Sequence, residues 1–163
     1  MNLKSFFDFS ASSNFQLGLS YATGPNDAGH GGTRTHLEGV DLTYRWRPAG
    51  QGLYRSLVFQ NEALFSQRDQ DPGNVIHSLG LYSYLGYQFG RRWTAGLRYD
   101  YSEFPEDNDS HENGYSGLLT FQQSEFAFWR LQYKRTERNF DRDIDELWLQ
   151  CNFGIGPHRA HEY

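Results

Sequence analysis

Between Val40 and Arg47 every second residue is apolar: Val40, Leu42, Tyr44 and Trp46 alternate with Asp41, Thr43, Arg45 and Arg47. A period of two places successive side chains on opposite faces of a β-strand. The same pattern recurs along the chain. Phe15, Leu17, Leu19 and Tyr21 alternate with Gln16, Gly18, Ser20 and Ala22. Leu79, Leu81, Leu85, Tyr87 and Phe89 oppose Ser78, Gly80, Tyr82, Tyr84, Gly86 and Gln88. Trp93, Ala95, Leu97, Tyr99 and Tyr101 oppose Arg92, Thr94, Gly96, Arg98, Asp100 and Ser102. Ala127, Trp129, Leu131 and Tyr133 oppose Phe128, Arg130, Gln132 and Lys134. The last strand, Leu147 to Ile155, puts Leu147, Leu149, Cys151, Phe153 and Ile155 on one side. Noisier runs at 3–10, 53–67 and 115–121 bring the strand segments to nine, residues 1–14 being either a strand or an arm.

The polar stretches between these runs alternate in length. Connections at 11–14, 48–52, 90–91 and 122–125 are short; those at 23–36, 66–75, 103–113 and 135–146 are long. Pro48 to Gly52 is a tight turn by composition, and Gly90-Arg91 a two-residue hairpin. Aromatic residues gather at both ends of the apolar face. Beside the short turns lie Phe9, Phe15, Trp46, Phe89, Trp93, Phe121 and Phe153, with Trp129 near them. Beside the long connections lie Tyr21, Phe65, Tyr99, Tyr101, Tyr115 and Tyr133. An aliphatic band of leucines runs between. Membrane barrels carry such girdles, short turns on one side and long loops on the other.

Composition narrows the reading. The 163 residues suit one domain, 1–163, with 156–163 as a carboxy-terminal tail. Only 37% are hydrophobic, with a mean hydropathy of −0.76, yet 17% are aromatic. A disordered chain is poor in aromatics, whereas a barrel that turns half of each strand to a polar lumen accounts for both numbers. No run of about 18 apolar residues occurs, so a membrane-crossing helix is not expected. With 15 Lys+Arg against 20 Asp+Glu, a nucleic-acid partner is not expected either. Met1 to Asp8 lacks the apolar core of a signal peptide, as expected if a leader was removed or the chain is a piece of a larger one.

The fold expected is therefore all-β: a transmembrane antiparallel up-and-down β-barrel of eight strands or more. A soluble lipocalin-like barrel would also alternate, but its apolar face would point inward to bind an apolar ligand. About four large apolar residues on each strand would overfill a narrow interior. An odd count of nine is at variance with the even number in bacterial barrels, so strands supplied from upstream or by another chain are the alternative to a non-strand at 1–14.

Three stretches carry a family resemblance: Asp41 to Pro48, Ser124-Glu125-Phe126 with Arg130 to Tyr133, and Gly156 to Tyr163. With the alternation over the whole chain, they resemble bacterial outer-membrane β-barrels, in particular the carboxy-terminal part of porin-like and zinc-regulated receptor-like barrels. The resemblance implies a bacterial outer-membrane location and either a porin-like transport channel or a structural part of an envelope assembly. Its partners would be outer-membrane lipid, other envelope proteins or missing barrel strands.

The lumen candidates are Asp41, Arg45, Arg47, Glu62, Arg92, Arg98, Asp100, Arg130 and Lys134. In a wide barrel these would set ion selectivity, leaning to anions because basic groups outnumber acidic ones. In a narrow one they would pair as a polar core. Six histidines raise the question of metal binding: His30 and His36 lie near Asp27, and His158 and His161 are three apart. No stretch offers four ligands at a zinc-binding spacing, and Glu106 to Asp109 lacks the order of a calcium loop. No metal and no cofactor is expected. Ser110-His111 and Asp27 with His30 do not form a recognisable catalytic constellation, and a non-enzyme is expected.

Overall fold

The computed structural model describes residues 1–26, 32–71 and 74–154. They form nine antiparallel strands: β1 (Asn2–Ser10), β2 (Ser13–Pro25), β3 (Arg34–Trp46), β4 (Ser56–Asp71), β5 (Asn74–Gln88), β6 (Trp93–Phe104), β7 (Asp107–Ser124), β8 (Ala127–Arg138) and β9 (Ile144–Phe153). Each strand bonds to its sequence neighbours, in the order β1 to β9, within a single up-and-down sheet. The stretch before residue 14 is a strand, since Asn2 to Asp8 pair with Ser20 to Asn14.

Register turns the one-strand alternation into rows. Phe15, Tyr44, Phe59, Leu85, Leu97, Gly117, Tyr133 and Leu147 are successive cross-strand partners. One residue along, Gln16, Thr43, Gln60, Tyr84, Arg98, Ser116, Lys134 and Glu146 make the next row, on the opposite face. The apolar and polar faces are thus continuous across the sheet.

The sheet curls with the polar face inward. On that face Gly18, Gly39, Thr43, Gly86, Gly96, Gly114, Ser116 and Thr136 are buried. Leu97, Leu131 and Leu149 on the other face are 65%, 45% and 72% exposed. Among the described residues Ile76 alone forms a buried hydrophobic core. Nothing among the described residues covers the apolar side of this single curved layer.

Two expectations are corrected here. The sheet is not closed: β1 pairs only with β2 and β9 only with β8. The long connections are mostly strand. β6 and β7 are joined through Pro105 and Glu106, and β8 and β9 through residues 139–143, while β4 ends at Asp71 and β5 starts at Asn74. Apart from Val75, Ile76 and Phe104 these upper segments are largely polar on both faces, so their sequence lacks the alternation that marks a strand. Cross-strand polar contacts hold them instead. Arg138 Nε lies 2.6 Å from Glu112 Oε1, as an ion pair without hydrogen-bond geometry. Tyr133 donates to Asp145 at 2.6 Å, and the Tyr21 hydroxyl meets His36 Nδ1 at 2.8 Å. At the opposite end, the 90–91 hairpin proves to be a four-residue connection, 89–92. The turn at Pro48 is present, with Gln51 N donating to Pro48 O at 3.2 Å and Gly50 supplying the positive φ of 80° that its third position requires. The 48–52 connection, however, proves to run from 47 to 55, β4 starting at Ser56.

Candidate functional site

The concave face carries most of the charged side chains expected in a lumen. One cross-strand row runs Lys4, Gly18, Asp41, Glu62, Tyr82, Asp100, Gly114, Thr136. Asp41 and Glu62 face each other directly, an arrangement of like charges that costs stability unless neighbours offset it. Lys4 Nζ lies 4.0 Å from Asp41, and Tyr82 is the cross-strand partner of Glu62 on its other side. Gly18, lacking a Cβ, leaves the space that the Asp41 carboxylate occupies.

On β6, Arg98 grips Asp100 with two nitrogens, Nε at 2.8 and 3.0 Å and Nη2 at 2.6 Å. The same guanidinium lies 4.6 Å from the centre of the Tyr82 ring. Both charges are partly exposed, so the pair contributes at most about 1 kcal/mol to stability. Its main effect is to orient two long side chains along the wall.

Tyr84 lies across two glycines. A Cβ at Gly86 would fall 2.6 Å from the Tyr84 hydroxyl oxygen, and one at Gly96 would fall 2.9 Å from its ring. Gly86 and Gly96 are cross-strand partners, so β5 and β6 together form a flat seat for the ring. An aromatic laid over strand glycines restores the packing that glycine forfeits.

On β8, Arg130 Nε donates to Thr120 Oγ1 at 3.0 Å, and its guanidinium lies 5.2 Å from the Phe128 ring centre. Gln132 Nε2 donates to Ser116 Oγ at 3.4 Å. The stem of Lys134 crosses Gly114, where Asp100 also approaches. Together, side chains from β4 to β8 line an open trough of about 530 Å³, including Gln60, Tyr82, Arg98, Asp100, Glu112, Arg130 and Lys134.

The remaining candidates lie apart from this trough. Arg45 stands on β3 opposite Val58. Arg47 follows β3, and its Nε donates to Gly52 O at 3.0 Å within the turn. Arg92 lies in the 89–92 connection, where its carbonyl accepts from Gln122 N at 2.7 Å. Both arginines therefore belong to the short-turn rim. Glu112, which lines the trough, lies in the segment read as loop. Tyr82, Tyr84 and Gln132 stand at polar-face parity in the sequence, but neutral side chains do not signal a lumen on their own.

The girdle residues occupy the outer face at two levels. Trp93, Phe121, Trp129 and Cys151 are cross-strand partners beside the short turns, with the Trp93 and Phe121 rings 4.8 Å apart. Phe15, Trp46 and Phe153 lie near the short-turn ends of β2, β3 and β9, and Phe89 just beyond β5. Tyr99, Tyr101 and Tyr133 lie towards the other end, with Tyr99 and Tyr115 rings 5.4 Å apart.

Of the histidines, His36 is on β3 against Tyr21, while His30, His158, His161 and Asp27 lie outside the described residues, as do Ile155 and the Gly156 to Tyr163 tail. Among the described residues, His, Cys, Asp and Glu form no metal-holding group of three. At the β6–β7 tip, Asp107 accepts from Ser110 Oγ at 2.6 Å and from Asp109 N at 3.0 Å, which hold its carboxyl below the usual carboxylate range.

No family model matches this chain, and no solved structure matches it. The chain is 28% identical, over 174 aligned residues, to an uncharacterized protein of Aquifex aeolicus (strain VF5). The alignment takes in 90% of this chain and 36% of that protein, so the chain spans about a third of the relative's length.

Proposed function

We propose that this chain forms part of the wall of a bacterial outer-membrane β-barrel that passes small polar solutes. The observation that carries this reading is the exposed apolar band on the convex face. On β8 it runs from Ala127 to Tyr133, on β7 from Tyr115 to Phe121 and on β6 from Trp93 to Tyr101. Seven to nine residues at roughly 3.3 Å each give a height of about 23–30 Å along the strand, near the apolar band of about 25 Å in such barrels once strand tilt is allowed for. Aromatics bound the band on both sides; Ser5, Asn61 and Ser83 interrupt it, and charged and polar groups dominate the outer face at and beyond the upper aromatics, at Glu38, Gln67, His77, His111 and Glu137. A lipocalin-like barrel needs its apolar residues lining the cavity; here the concave face holds arginines, carboxylates and amides.

The open edges call for more strands. With nine alternating strands, β1 and β9 run in the same direction, so direct closure between them would be parallel. An antiparallel barrel of even strand number needs an odd number of further strands. The aligned relative, about three times as long, is compatible with a longer polypeptide supplying them. The edges also favour a second reading, in which the chain is a structural component whose barrel is completed by another envelope protein.

Folding into detergent micelles or outer-membrane lipid, followed by circular dichroism and by gel migration before and after heating, tests the membrane reading. A β-rich species whose migration shifts on heating is the expected result. Full solubility as a monomer without detergent would sink it. Migration of the folded species then separates the two readings: a single-chain barrel shifts alone, whereas a composite one shifts only with its partner.

A further inference from the structure

We propose that the trough conducts small anions in preference to cations, with Arg130 and Lys134 of β8 as the selecting residues. The inference rests on the pore reading and names the solute class for it. The carboxylates lining the trough are already engaged. Asp100 is held by Arg98 through contacts at 2.6 to 3.0 Å. Glu112 faces Arg138 at 2.6 Å. The two remaining cations of the lining, Arg130 and Lys134, have no such partner. Arg130 spends its Nε on the neutral Thr120 hydroxyl and keeps the rest of its guanidinium over Phe128. Lys134 makes no ion pair among the described residues, although Glu146 is its cross-strand neighbour and Asp100 approaches the same glycine.

The two are four residues apart on one strand, so they share the concave face with Gln132 between them. At about 3.3 Å per residue their backbones are roughly 13 Å apart, which places two cationic stations in succession along the direction of permeation. Part-paired charge is what a conduction path requires: the site attracts an anion without the fixed counter-ion that would cancel it, and two stations let the anion leave as readily as it enters. The acidic pair Asp41 and Glu62 lies across the sheet on β3 and β4, outside the lining of the trough, with Lys4 Nζ 4.0 Å from Asp41.

The test is the reversal potential of the full-length polypeptide, refolded into planar bilayers under a potassium chloride gradient. Chloride should permeate faster than potassium. Arg130→Gln with Lys134→Gln should bring the permeability ratio down to about one or below, while Arg142→Gln at the tip of the β8–β9 connection should leave it unchanged. A ratio at or below one in the unsubstituted protein, or a double variant that keeps the original ratio, overturns the anion assignment alone. Absence of any conductance overturns the pore reading together with it. A second measurement does not depend on conduction: inorganic phosphate added to the folded protein in micelles should shift the Arg130 Nε resonance, and an unmoved resonance overturns the role of Arg130.

Discussion

Gly96 shows how a single missing Cβ shapes the wall. It and Gly86 are buried on the concave face, and the Tyr84 ring fills the room they leave. A valine at position 96 would drive its Cβ and methyl groups into that ring, so Gly96→Val should destabilise the folded protein by about 1–3 kcal/mol through overpacking. Tyr84→Ser vacates the seat, and in that background the same valine should cost far less. The double-mutant cycle, measured by urea titration in lipid vesicles, reads the difference as a coupling energy. Additive effects would mean that Tyr84 does not rest on Gly96. The sequence displays Tyr84 and Gly86 on one face of β5 and Gly96 on β6, but only the pairing of Gly86 with Gly96 brings all three together. A contact between strands depends on register, which alternation within one strand leaves open.

At the scale of elements, the part legible in the sequence is the part with alternation. Val40 to Trp46, Trp93 to Tyr101 and Ala127 to Tyr133 read as strands because convex-face and concave-face residues differ in kind. Above the tyrosine level, Glu112, Asn113 and Arg138 present polar groups on both faces, and the ladder there is recorded in cross-strand pairs rather than in periodicity. The β6–β7 hairpin is the clearest case, with β7 reaching down to Asp107. Its tip has a pH dependence of known sign. Asp107 has its folded pKa lowered from 3.8, by the Ser110 hydroxyl first and the Asp109 amide second. A depressed carboxyl contributes stability that is fully present above its unfolded value and is lost as pH falls through the folded one. The tip should therefore stay intact at neutral pH and fray only below about pH 3.8. Ser110→Ala removes the larger cause, so Asp107 should titrate closer to its ordinary value and the stability of the tip should depend less on pH. Carboxyl chemical shifts followed against pH measure both; a titration unchanged by the substitution would refute the arrangement.

At the scale of the whole molecule, the described residues bury one hydrophobic side chain, Ile76, and the surrounding medium decides which substitutions the sheet tolerates. Leu131 stands on the outer face between Trp129 and Tyr133, midway up the apolar band, and is 45% exposed. Gln132, its neighbour, points into the trough. If the convex face meets water, Leu131→Arg at an exposed site should change stability by no more than about 0.5 kcal/mol. If it meets the bilayer near its midplane, the same change should cost about 2–4 kcal/mol. Gln132→Arg adds the same charge one residue away, but on the concave side, and should cost less than Leu131→Arg if lipid covers the convex face. Equilibrium refolding of the full-length chain into lipid vesicles, with the two variants side by side, therefore reads the orientation of the sheet directly. A large penalty at Leu131 with a small one at Gln132 is the expected outcome, because the energy of a buried charge depends on the face its strand turns to lipid. Equal and small penalties at both positions would mean that no lipid covers the apolar band, and the membrane reading would fall with it.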